Sequence, residues 1–282
     1  MTQAQKRELE ILACKARIGA IIGTFNAKSG HPGGSLSAAD LYTYLYFREM
    51  RVDPQRPDWA DRDRFVLSKG HCCPSLYAIL ALKGYFSWDE LSVLRHVGAM
   101  LQGHPDMKRT PGIDMSSGSL GQGISAACGM ALAAKIDKKD YRVYTVLGDG
   151  ECEEGEVWEA AMFAGHRGLD NLTVIVDVNG LQIDGTTAEI GGVEPLDTKF
   201  ESFGFDTVII DGHNFDEIEA ALAQAKQSPK PFAIIMKTVK GKGVSFMENE
   251  VGWHGKATNA EEYKVAMAEL EAQLRELEAD NG

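Results

Sequence analysis

The amino-acid sequence predicts an α/β protein: a doubly wound, mainly parallel sheet with helices on both faces. Four segments are nearly continuous runs of β-branched and apolar residues, which is typical of strands buried on both faces of a parallel sheet. Helical stretches at about 155–167 and 215–227 lie between them, and this alternation favours right-handed crossovers. The four segments are YRVYTVLG (141–148), NLTVIVDV (171–178), FDTVIID (205–211) and PFAIIMKTV (231–239).

The remainder of the chain is predicted to be largely helical. The expected regions are a helical N-terminal region with Gly-rich turns (1–135), a sheet core (136–245) and a helical C-terminal tail (258–282). Helical periodicity is clearest at 35–47 and 119–136. Thr258-Asn259-Ala260-Glu261 has the pattern of a capping box, and we expect the tail to pack outside the domain or against another subunit. We interpret residues 1–282 as a single domain, because no repeat or Pro/Ser-rich linker divides them.

Composition and charge restrict the classes of partner. The 282-residue chain has a formal net charge of −12, so neither a nucleic acid nor an anionic membrane is an expected partner. No apolar run approaches membrane-spanning length, and the first residues resemble an amphipathic helix, not a secretion signal. The cysteines fit neither a disulfide ladder nor a C-x-x-C metal pattern, which predicts reduced thiols in a cytoplasmic protein. They are Cys14, Cys72, Cys73, Cys128 and Cys152.

Two polar residues that follow neighbouring predicted strands suggest a metal site. Asp149 lies between two glycines directly after one strand, and Asn179 follows the next strand. Adjacent parallel strands lie about 5 Å apart, so their exit loops can place a carboxylate and an amide oxygen on one ion. Mg²⁺ prefers such oxygen ligands, commonly together with substrate phosphates. G-D-G after a strand is by itself more often a plain turn, and Asn179 is the residue that favours a site.

The loop after Asp149 is unusually acidic for an anion-binding segment. A helix is predicted to begin near Gly155, so its first amides can face a phosphate. The intervening and following residues nevertheless include four glutamates, at positions 151, 153, 154 and 156. We expect these carboxylates to point away from the metal, and the helix dipole favours acidic groups in the first turn.

The segment GDGECEEGEVWEAAMFAGHRGLDNLTVIVDVN (148–179) resembles the thiamine diphosphate fingerprint, which opens with G-D-G and closes with Asn after a helix and a strand. The resemblance implies a diphosphate-binding (PP) domain that holds thiamine diphosphate together with Mg²⁺, or with Ca²⁺ or Mn²⁺. It implies Asp149 and Asn179 as metal ligands and the carbonyl of Leu181 as the third protein ligand. The amide of Gly150 is implied to donate to the diphosphate.

Four of the seven histidines lie in short, polar, Gly-rich segments. These contexts occur from residue 31 to residue 254, and they indicate loops that converge on one pocket. Histidine suits a site that transfers protons and binds hydroxyls near neutral pH. The segments are KSGHPGGSLSAAD (His31), LSKGHCCPSLYA (His71), LQGHPD (His104) and GWHGK (His254).

These histidine segments are similar to those of transketolase, and they occur in the same order along the chain. The match runs from about residue 15 to 257 and includes GSLGQGIS, IDG, DGHN and KGKGVSFMEN. The resemblance departs from the family pattern at two positions. Ser119 stands where many members have proline, and Gly34 where some have serine. Neither change removes a functional group that the family's cofactor contacts require, since those contacts are largely to backbone.

The transketolase resemblance implies a role for each matching residue. The thiazolium and pyrimidine side of the cofactor is implied to contact Gly118 and Leu120. His71, Lys240 and His254 are implied to line the diphosphate and donor region. The residues implied to bind ketose hydroxyls and assist proton transfers are His31, His104 and His254.

The same resemblance implies a partner. A transketolase chain is more than twice this long, so this chain is expected to be the N-terminal subunit of a split transketolase and inactive alone. A C-terminal subunit would supply the pyrimidine-binding and C-terminal domains; a shortened form of a longer chain is the weaker alternative. The expected α2β2 heterotetramer transfers a two-carbon ketol unit from a ketose (phosphate) to an aldose (phosphate), as in the pentose phosphate pathway. Glu154 and Glu159 are implied to lie at the subunit interface.

Three other functions stay open at this point. The α-type subunit of a 2-oxo-acid dehydrogenase also carries G-D-G…N, but GHPGGSLS and GHPD are not expected there. A carboligase that joins a decarboxylated 2-oxo acid to a sugar phosphate differs near the third histidine. A non-enzymatic homologue is disfavoured because the ligands are intact.

The remaining polar residues of these segments are interpreted as structural. His213 is expected to be structural at a strand end, and Asp184 to form a turn. Lys242 is expected to be a solvated loop charge. Glu151, Glu153 and Glu156 are expected to be solvated or rim charges. His96 and His166 belong to no motif.

Overall fold

The protein folds around one five-stranded, all-parallel sheet. A computed structural model describes residues 1–279; the last three residues of the predicted tail, 280–282, lie outside the described part. The strand order is β1-β2-β3-β7-β6, and a short antiparallel hairpin (β4-β5) follows β3. The strands are β1 Arg64–Leu67, β2 Val143–Gly148, β3 Leu172–Val178, β4 Leu181–Gln182, β5 Gly185–Thr186, β6 Asp206–Asp211 and β7 Phe232–Lys237.

Helices precede, separate and follow these strands. Among the described residues no helix is both long and apolar enough to cross a membrane. The helices are α1 Gln3–Ala27, α2 Pro32–Ser37, α3 Ala39–Tyr44, α4 Cys73–Lys83, α5 Gln122–Ile136, α6 Gly155–His166, α7 Thr187–Ile190, α8 Leu196–Ser202, α9 Phe215–Gln227 and α10 Ala260–Ala279.

The sheet is buried on both faces, which explains why its strands have nearly continuous apolar sequences. Alternate residues of a strand point to opposite faces. In β3, Ile175 joins the core formed with α1, α3, α4 and α9, whereas Val174 and Val176 join the core formed with α5, α6 and α8. The predicted fold class, doubly wound and mainly parallel with helices on both faces, is confirmed.

The structure corrects the predicted elements in three places. The sheet has a fifth strand, β1, inside the region expected to be helical; its four residues are too few to give a periodic signal. The helix expected over 35–47 is divided into α2, α3 and a π-helical turn, Leu45–Glu49. The tail helix is capped by Asn259, not Thr258: Asn259 Oδ1 accepts the Glu262 amide (2.9 Å), and the Glu262 carboxylate accepts the Asn259 amide (2.8 Å).

The tail helix α10 packs against α1, on the outside of the domain. Leu270 and Ala266 are fully buried there, next to Cys14 of α1. The Cys14 thiol also donates to the carbonyl of Leu270 at 3.3 Å. The opposite face of α10 carries charged residues and Val265, which is 47% exposed. This amphipathic arrangement makes Leu270 the main anchor of the tail.

Leu270→Ala is expected to lower the free energy of unfolding by about 2–5 kcal/mol, because it removes a buried side chain and leaves a cavity. Chemical denaturation followed by circular dichroism measures the loss. Val265→Ala, on the exposed face of the same helix, is the matched control and should change stability by less than about 0.5 kcal/mol. Equal losses in the two variants would contradict this packing.

Candidate active site

Asp149 and Asn179 lie together at the carboxyl edge of the sheet. β2 and β3 pair in register with Gly148 beside Asp177, so the residues that follow the two strands are neighbours. Asp149 Oδ2 accepts the amide of Gly180 at 2.6 Å, and its Oδ1 accepts the amide of Gly150 at 2.9 Å. Gly180 can form this turn because its φ of 76° is a conformation that glycine adopts without strain.

The side-chain oxygen of Asn179 and the carbonyl of Leu181 belong to the same turn. Asn179 Oδ1 accepts the Leu181 amide at 3.2 Å, and its Nδ2 lies 3.4 Å from Asp177 Oδ2. The Leu181 carbonyl accepts a hydrogen bond from Lys240 Nζ at 2.8 Å. This carbonyl would have to exchange its ammonium partner to coordinate a cation.

The oxygen set at this edge fits a small divalent cation. Asp149 is 3% exposed, and burial raises the pKa of its carboxyl to about 6, with the nearby charge of Asp177 adding to the rise. A positive ion would reverse this penalty, since it favours the ionised form. The described residues contain no cluster of three or more His, Cys, Asp and Glu suited to a metal, so amide and carbonyl oxygens would complete the ligand set.

A fully buried ion pair lies beneath these residues. Lys69 Nζ donates to Asp177 Oδ2 and to the carbonyl of Gly34 (3.2 Å). Burial alone would lower the pKa of Lys69, but the Asp177 carboxylate raises it to about 12. Burial would likewise raise the pKa of Asp177, but Lys69 holds it below its ordinary value. Both groups are therefore charged at neutral pH.

Glu151 is a buried structural residue, which corrects the expectation of a solvated or rim charge. It is 3% exposed, and its carboxylate accepts the amides of Gly121 (2.9 Å) and Gly148 (3.0 Å) together with the hydroxyl of Ser68. Burial raises the pKa of Glu151, whereas these hydrogen bonds lower it. The carboxylate thus joins the G-D-G loop to the start of α5 and to the segment after β1.

The other acidic residues of the loop stay near the surface. Glu153 is exposed and accepts from Gln182 Nε2 at 2.6 Å, and Glu156 is half-buried. Glu154 is the N-cap residue of α6, and both it and Glu159 are exposed on the described chain. An exposed position is what a role at a subunit interface requires.

The four histidines come together from four separate loops. The ring centroid of His31 lies 5.1 Å from that of His71, 6.3 Å from that of His104 and 5.7 Å from that of His254. The rings of His71 and His254 stack at 5.3 Å. Nδ1 of His31 is buried and has no hydrogen-bond partner among the described residues. Such an atom has a hydrogen bond to offer a ligand.

The environment keeps these rings neutral. Burial, assisted by Arg95 and other cations, lowers the pKa of His31 to about 4. Burial and Lys240 lower the pKa of His254 to about 3. The pKa of His71 is also lowered by burial and by Lys69, and that of His104 by burial and Arg95. Neutral imidazoles can accept protons and bind hydroxyls at pH 7.

Lys240 connects the histidine cluster to the turn that contains Asn179 and Leu181. Its Nζ lies 3.0 Å from Nδ1 of His254, and its side chain is 2% exposed. The preceding residue, Val239, donates its amide to Nε2 of His213 at 2.9 Å, and Nδ1 of His213 lies 2.7 Å from Asp40. His213 therefore holds the loop after β7, in keeping with the structural interpretation.

One cavity of about 230 Å³ receives most of the predicted site residues. Among the residues predicted to bind cofactor, metal or sugar, His104 is the exception: it lines an adjoining cleft that shares Gly118 with the cavity. The predicted interface residues Glu154 and Glu159 also lie outside the cavity. The cavity also contains Lys69 and Cys72, for which no role in the site is predicted, and Glu151, which is predicted to be a solvated or rim charge. The predicted residues that line it are His31, His71, Gly118, Leu120, Asp149, Gly150, Asn179, Leu181, Lys240 and His254.

The sequence did not predict the buried residues that position the loops of the site. Lys69 and Ser68 lie within the LSKGH segment, and a weak signal for them was their position directly before His71. Asp177 is a carboxylate inside an otherwise apolar strand, and a buried charge of that kind needs a partner. Its partner comes from another strand exit, which the sequence does not reveal.

Comparison with known proteins agrees with this geometry. Residues 11–275 match a family model described as "Transketolase, thiamine diphosphate binding domain". The chain belongs to the transketolase family. The transketolase of Campylobacter jejuni has the same fold, with a TM-score of 0.89 and 34% identity over 95% of this chain and 45% of that chain.

Relatives in the transketolase family differ in length. The 6-deoxy-6-sulfo-D-fructose transketolase subunit of Clostridium sp. (strain MSTE9) is 54% identical over 86% of this chain and 88% of its own. An apulose-4-phosphate transketolase subunit of Phocaeicola vulgatus is 41% identical over 98% of this chain and 99% of its own. Human transketolase is 42% identical over 97% of this chain but only 44% of its own length. The chain therefore spans less than half of such full-length transketolases and nearly all of the relatives named as subunits.

Asp177→Asn is expected to cost about 3–5 kcal/mol of stability at pH 7, because it leaves the Lys69 ammonium buried without its counter-charge. The folded-state pKa of Asp177 lies below its ordinary value of 3.8. The stabilisation is therefore complete above pH 3.8 and is lost as the pH falls through the lower folded-state value. Urea denaturation at pH 7, 5 and 3 measures both effects.

The matched control for this prediction is Asp206→Asn, which removes a surface ion pair with Lys230. Exposed pairs contribute about 0–1 kcal/mol, so this variant should remain close to the parent. A loss below about 1 kcal/mol for Asp177→Asn would contradict the inferred importance of the buried pair.

Proposed function

We propose that this chain is the N-terminal subunit of a two-chain transketolase that transfers a two-carbon ketol unit from a ketose to an aldose. One observation carries the proposal: the relatives that this chain matches over 88% and 99% of their length are named as transketolase subunits. A partner chain would then supply what the longer transketolases carry in their remaining length. Convergence of three neutral histidines on the cavity, with His104 at the adjoining cleft, supports a site for hydroxylated substrates.

The proposed metal ligands are Asp149, Asn179 and the carbonyl of Leu181, with Mg²⁺ as the expected ion and Ca²⁺ or Mn²⁺ as alternatives. This assignment is supported by the oxygen chemistry of the three groups and by the burial of Asp149. The diphosphate of thiamine diphosphate would accept from the amide of Gly150, which would have to exchange its hydrogen bond to Asp149 Oδ1 (2.9 Å). The diphosphate would lie near His71, Lys240 and His254.

The thiazolium and pyrimidine side of the cofactor is proposed to contact Gly118 and Leu120. Both residues line the cavity. Leu120 lies in a Gly-rich turn, and 36% of its surface is exposed. Thiamine diphosphate, when bound, supplies the nucleophilic carbon that breaks and forms the carbon–carbon bond, while the protein supplies placement and electrostatics.

Three histidines are proposed to act on the sugar. His104, at the cleft beside the cavity, would hold the C1 hydroxyl of the donor. His31 and His254 would accept and return protons at the reacting oxygens, which requires neutral rings at working pH. Their lowered pKa values meet that requirement.

The proposed assembly is an α2β2 heterotetramer with Glu154 and Glu159 at the subunit interface. Both glutamates are exposed on the described chain, at the start and in the first turns of α6.

The proposed location is the cytoplasm. All five cysteines are free thiols, which supports a reducing compartment.

The donor class is proposed to be ketoses that carry an anionic end group. The names of the two relatives refer to a sulfonated sugar and to a phosphorylated one. Assays of ketol transfer with a sulfonated ketose and with a phosphorylated ketose would show which of the two classes of donor the enzyme uses. Pyruvate decarboxylation, tested in parallel, would expose a 2-oxo-acid-dependent enzyme instead.

Neither this chain nor its proposed partner chain is expected to be active alone, and mixing them should produce ketol transfer. The reason is that the cavity lies at the surface of this chain, and the pyrimidine end of the cofactor would be held by the partner. The measurement is a coupled assay with thiamine diphosphate and Mg²⁺, using each chain and the mixture. Full activity from this chain alone would disprove the two-chain proposal.

Asp149→Ala is expected to abolish cofactor-dependent metal binding in the reconstituted pair, because it removes the charged ligand. Titration calorimetry with Mg²⁺ and thiamine diphosphate should show at least about a 10²-fold weaker affinity, in line with the loss of a charged hydrogen-bonded or ligand group. Asp184→Ala, in the exposed β4–β5 turn, is the matched control and should bind as the parent does. Unchanged binding by Asp149→Ala would refute the metal assignment.

A further inference from the structure

The Arg95 side chain joins the loops that carry two of the histidines. Its Nη1 donates to Oγ of Ser29 at 3.1 Å, two residues before His31. Its Nη2 donates to the carbonyl of Gly103 at 3.1 Å, directly before His104. One planar guanidinium thus holds two segments that are more than 70 residues apart in the chain, with a separate nitrogen donating to each.

The backbone around Arg95 is shaped for this contact. Arg95 has a φ of 64°, a left-handed conformation that is unfavourable for a side chain of this kind, and its amide donates to the carbonyl of Leu101 at 2.9 Å. The guanidinium lies directly over Gly103: a Cβ at that position would be 2.7 Å from Cζ of Arg95. A residue larger than glycine would therefore displace the guanidinium.

The two histidines belong to different segments and line neighbouring openings. His31 lies at the start of α2, with its ring against those of His71 and His254 and near Lys240. His104 lies at the exposed cleft, beside Gly118. The separation of the two ring centroids, 6.3 Å, sets the space in which a sugar can contact both.

We propose that Arg95 is a positioning residue that ties the His31 loop to the His104 loop and sets the spacing of the two imidazoles that bind the donor sugar. This inference rests on the proposed function, since it is the donor sugar that both rings are proposed to contact. Arg95 acts through Ser29 and Gly103 and has no assigned contact with the cofactor.

The charge of Arg95 has a second, measurable effect on the same rings. After burial, Arg95 is the main cause that lowers the pKa of His31 and of His104. The other groups facing His31 are Lys240 and the rings of His71, His104 and His254. Removing the guanidinium should therefore raise the pKa of both rings, and a lysine in its place should keep them low.

The first experiment uses the whole chain without partner or cofactor. Histidine ring carbons labelled with ¹³C are titrated by NMR, each signal being assigned from the variant in which that histidine is replaced by asparagine. Arg95→Met is expected to move the His31 and His104 titrations to higher pH, and Arg95→Lys to leave them near the parent. Arg56→Met is the matched control, since its guanidinium pairs with Asp53 at the surface. Unmoved titrations in Arg95→Met would overturn the proposal.

The second experiment uses the reconstituted pair and separates geometry from charge. Arg95→Lys keeps the charge but replaces the two donor nitrogens of the guanidinium by one, and Gly103→Ala keeps the guanidinium but displaces it. Both variants are expected to lose kcat/KM for the ketose donor by about 10- to 10²-fold, while the affinity for thiamine diphosphate stays within about twofold. Arg56→Met should match the parent in both measurements.

The outcomes are distinct. Wild-type donor kcat/KM in Arg95→Lys would overturn the bridging role, and an equal loss of cofactor affinity would show a general structural role instead. If the parent pair had no ketol transferase activity, the proposed function would fail, whereas the NMR titration would still test how Arg95 acts on the two rings.

Discussion

The buried ion pair between Lys69 and Asp177 is the interaction on which the rest of the site depends. Besides the ammonium of Lys69, the Asp177 carboxylate accepts hydrogen bonds from the hydroxyls of Ser37 (2.7 Å) and Thr238, and it lies 3.4 Å from Nδ2 of Asn179. One carboxylate therefore joins the exits of β1, β3 and β7 to α2. A buried pair of this kind adds little net stability compared with an apolar substitute, but it tolerates only one arrangement of its partners. It positions the loops that carry the proposed metal ligands and the histidines.

Three carboxylates at the same sheet edge have different environments and so different functions. Asp177 has a cation and is held ionised, and Glu151 has backbone amides and a hydroxyl and joins loops. Asp149 has only two amides, and its pKa is raised to about 6. Of the three, Asp149 is the one whose charge is least compensated by the protein. That imbalance is the physical reason why it is the proposed ligand of a divalent cation, and the acidic loop is thereby explained residue by residue.

The protonation state of the histidine cluster is also set by burial and by neighbouring charges, which in this case are positive. Burial and the cations of Lys240, Lys69 and Arg95 all oppose protonation of the rings, so three imidazoles can lie within about 6 Å of the His31 ring without charge repulsion. Neutral rings next to the cationic side chains of Lys69, Lys240 and Arg95 suit a site in which an anionic diphosphate and a polyhydroxylated sugar bind side by side. The transketolase family assignment and the physical chemistry of the cavity thus lead to the same class of reaction.

Local patterns in the sequence are sufficient to predict the fold class and most of the residues that line the cavity. Both depend on local patterns: apolar runs that predict buried strands, and short Gly-rich motifs around Asp149, Asn179 and the histidines that match one family in order. Tertiary structure alone decided which charges are buried. Glu151 looked like a rim charge because its neighbours in sequence are acidic, and its true partners are amides that lie 3 and 30 residues away. Arg95 and Lys69 each acquire a role from contacts between distant loops, and such contacts leave no periodicity in the chain; Lys69 lies in a recognisable motif, but the motif does not reveal that its partner is Asp177.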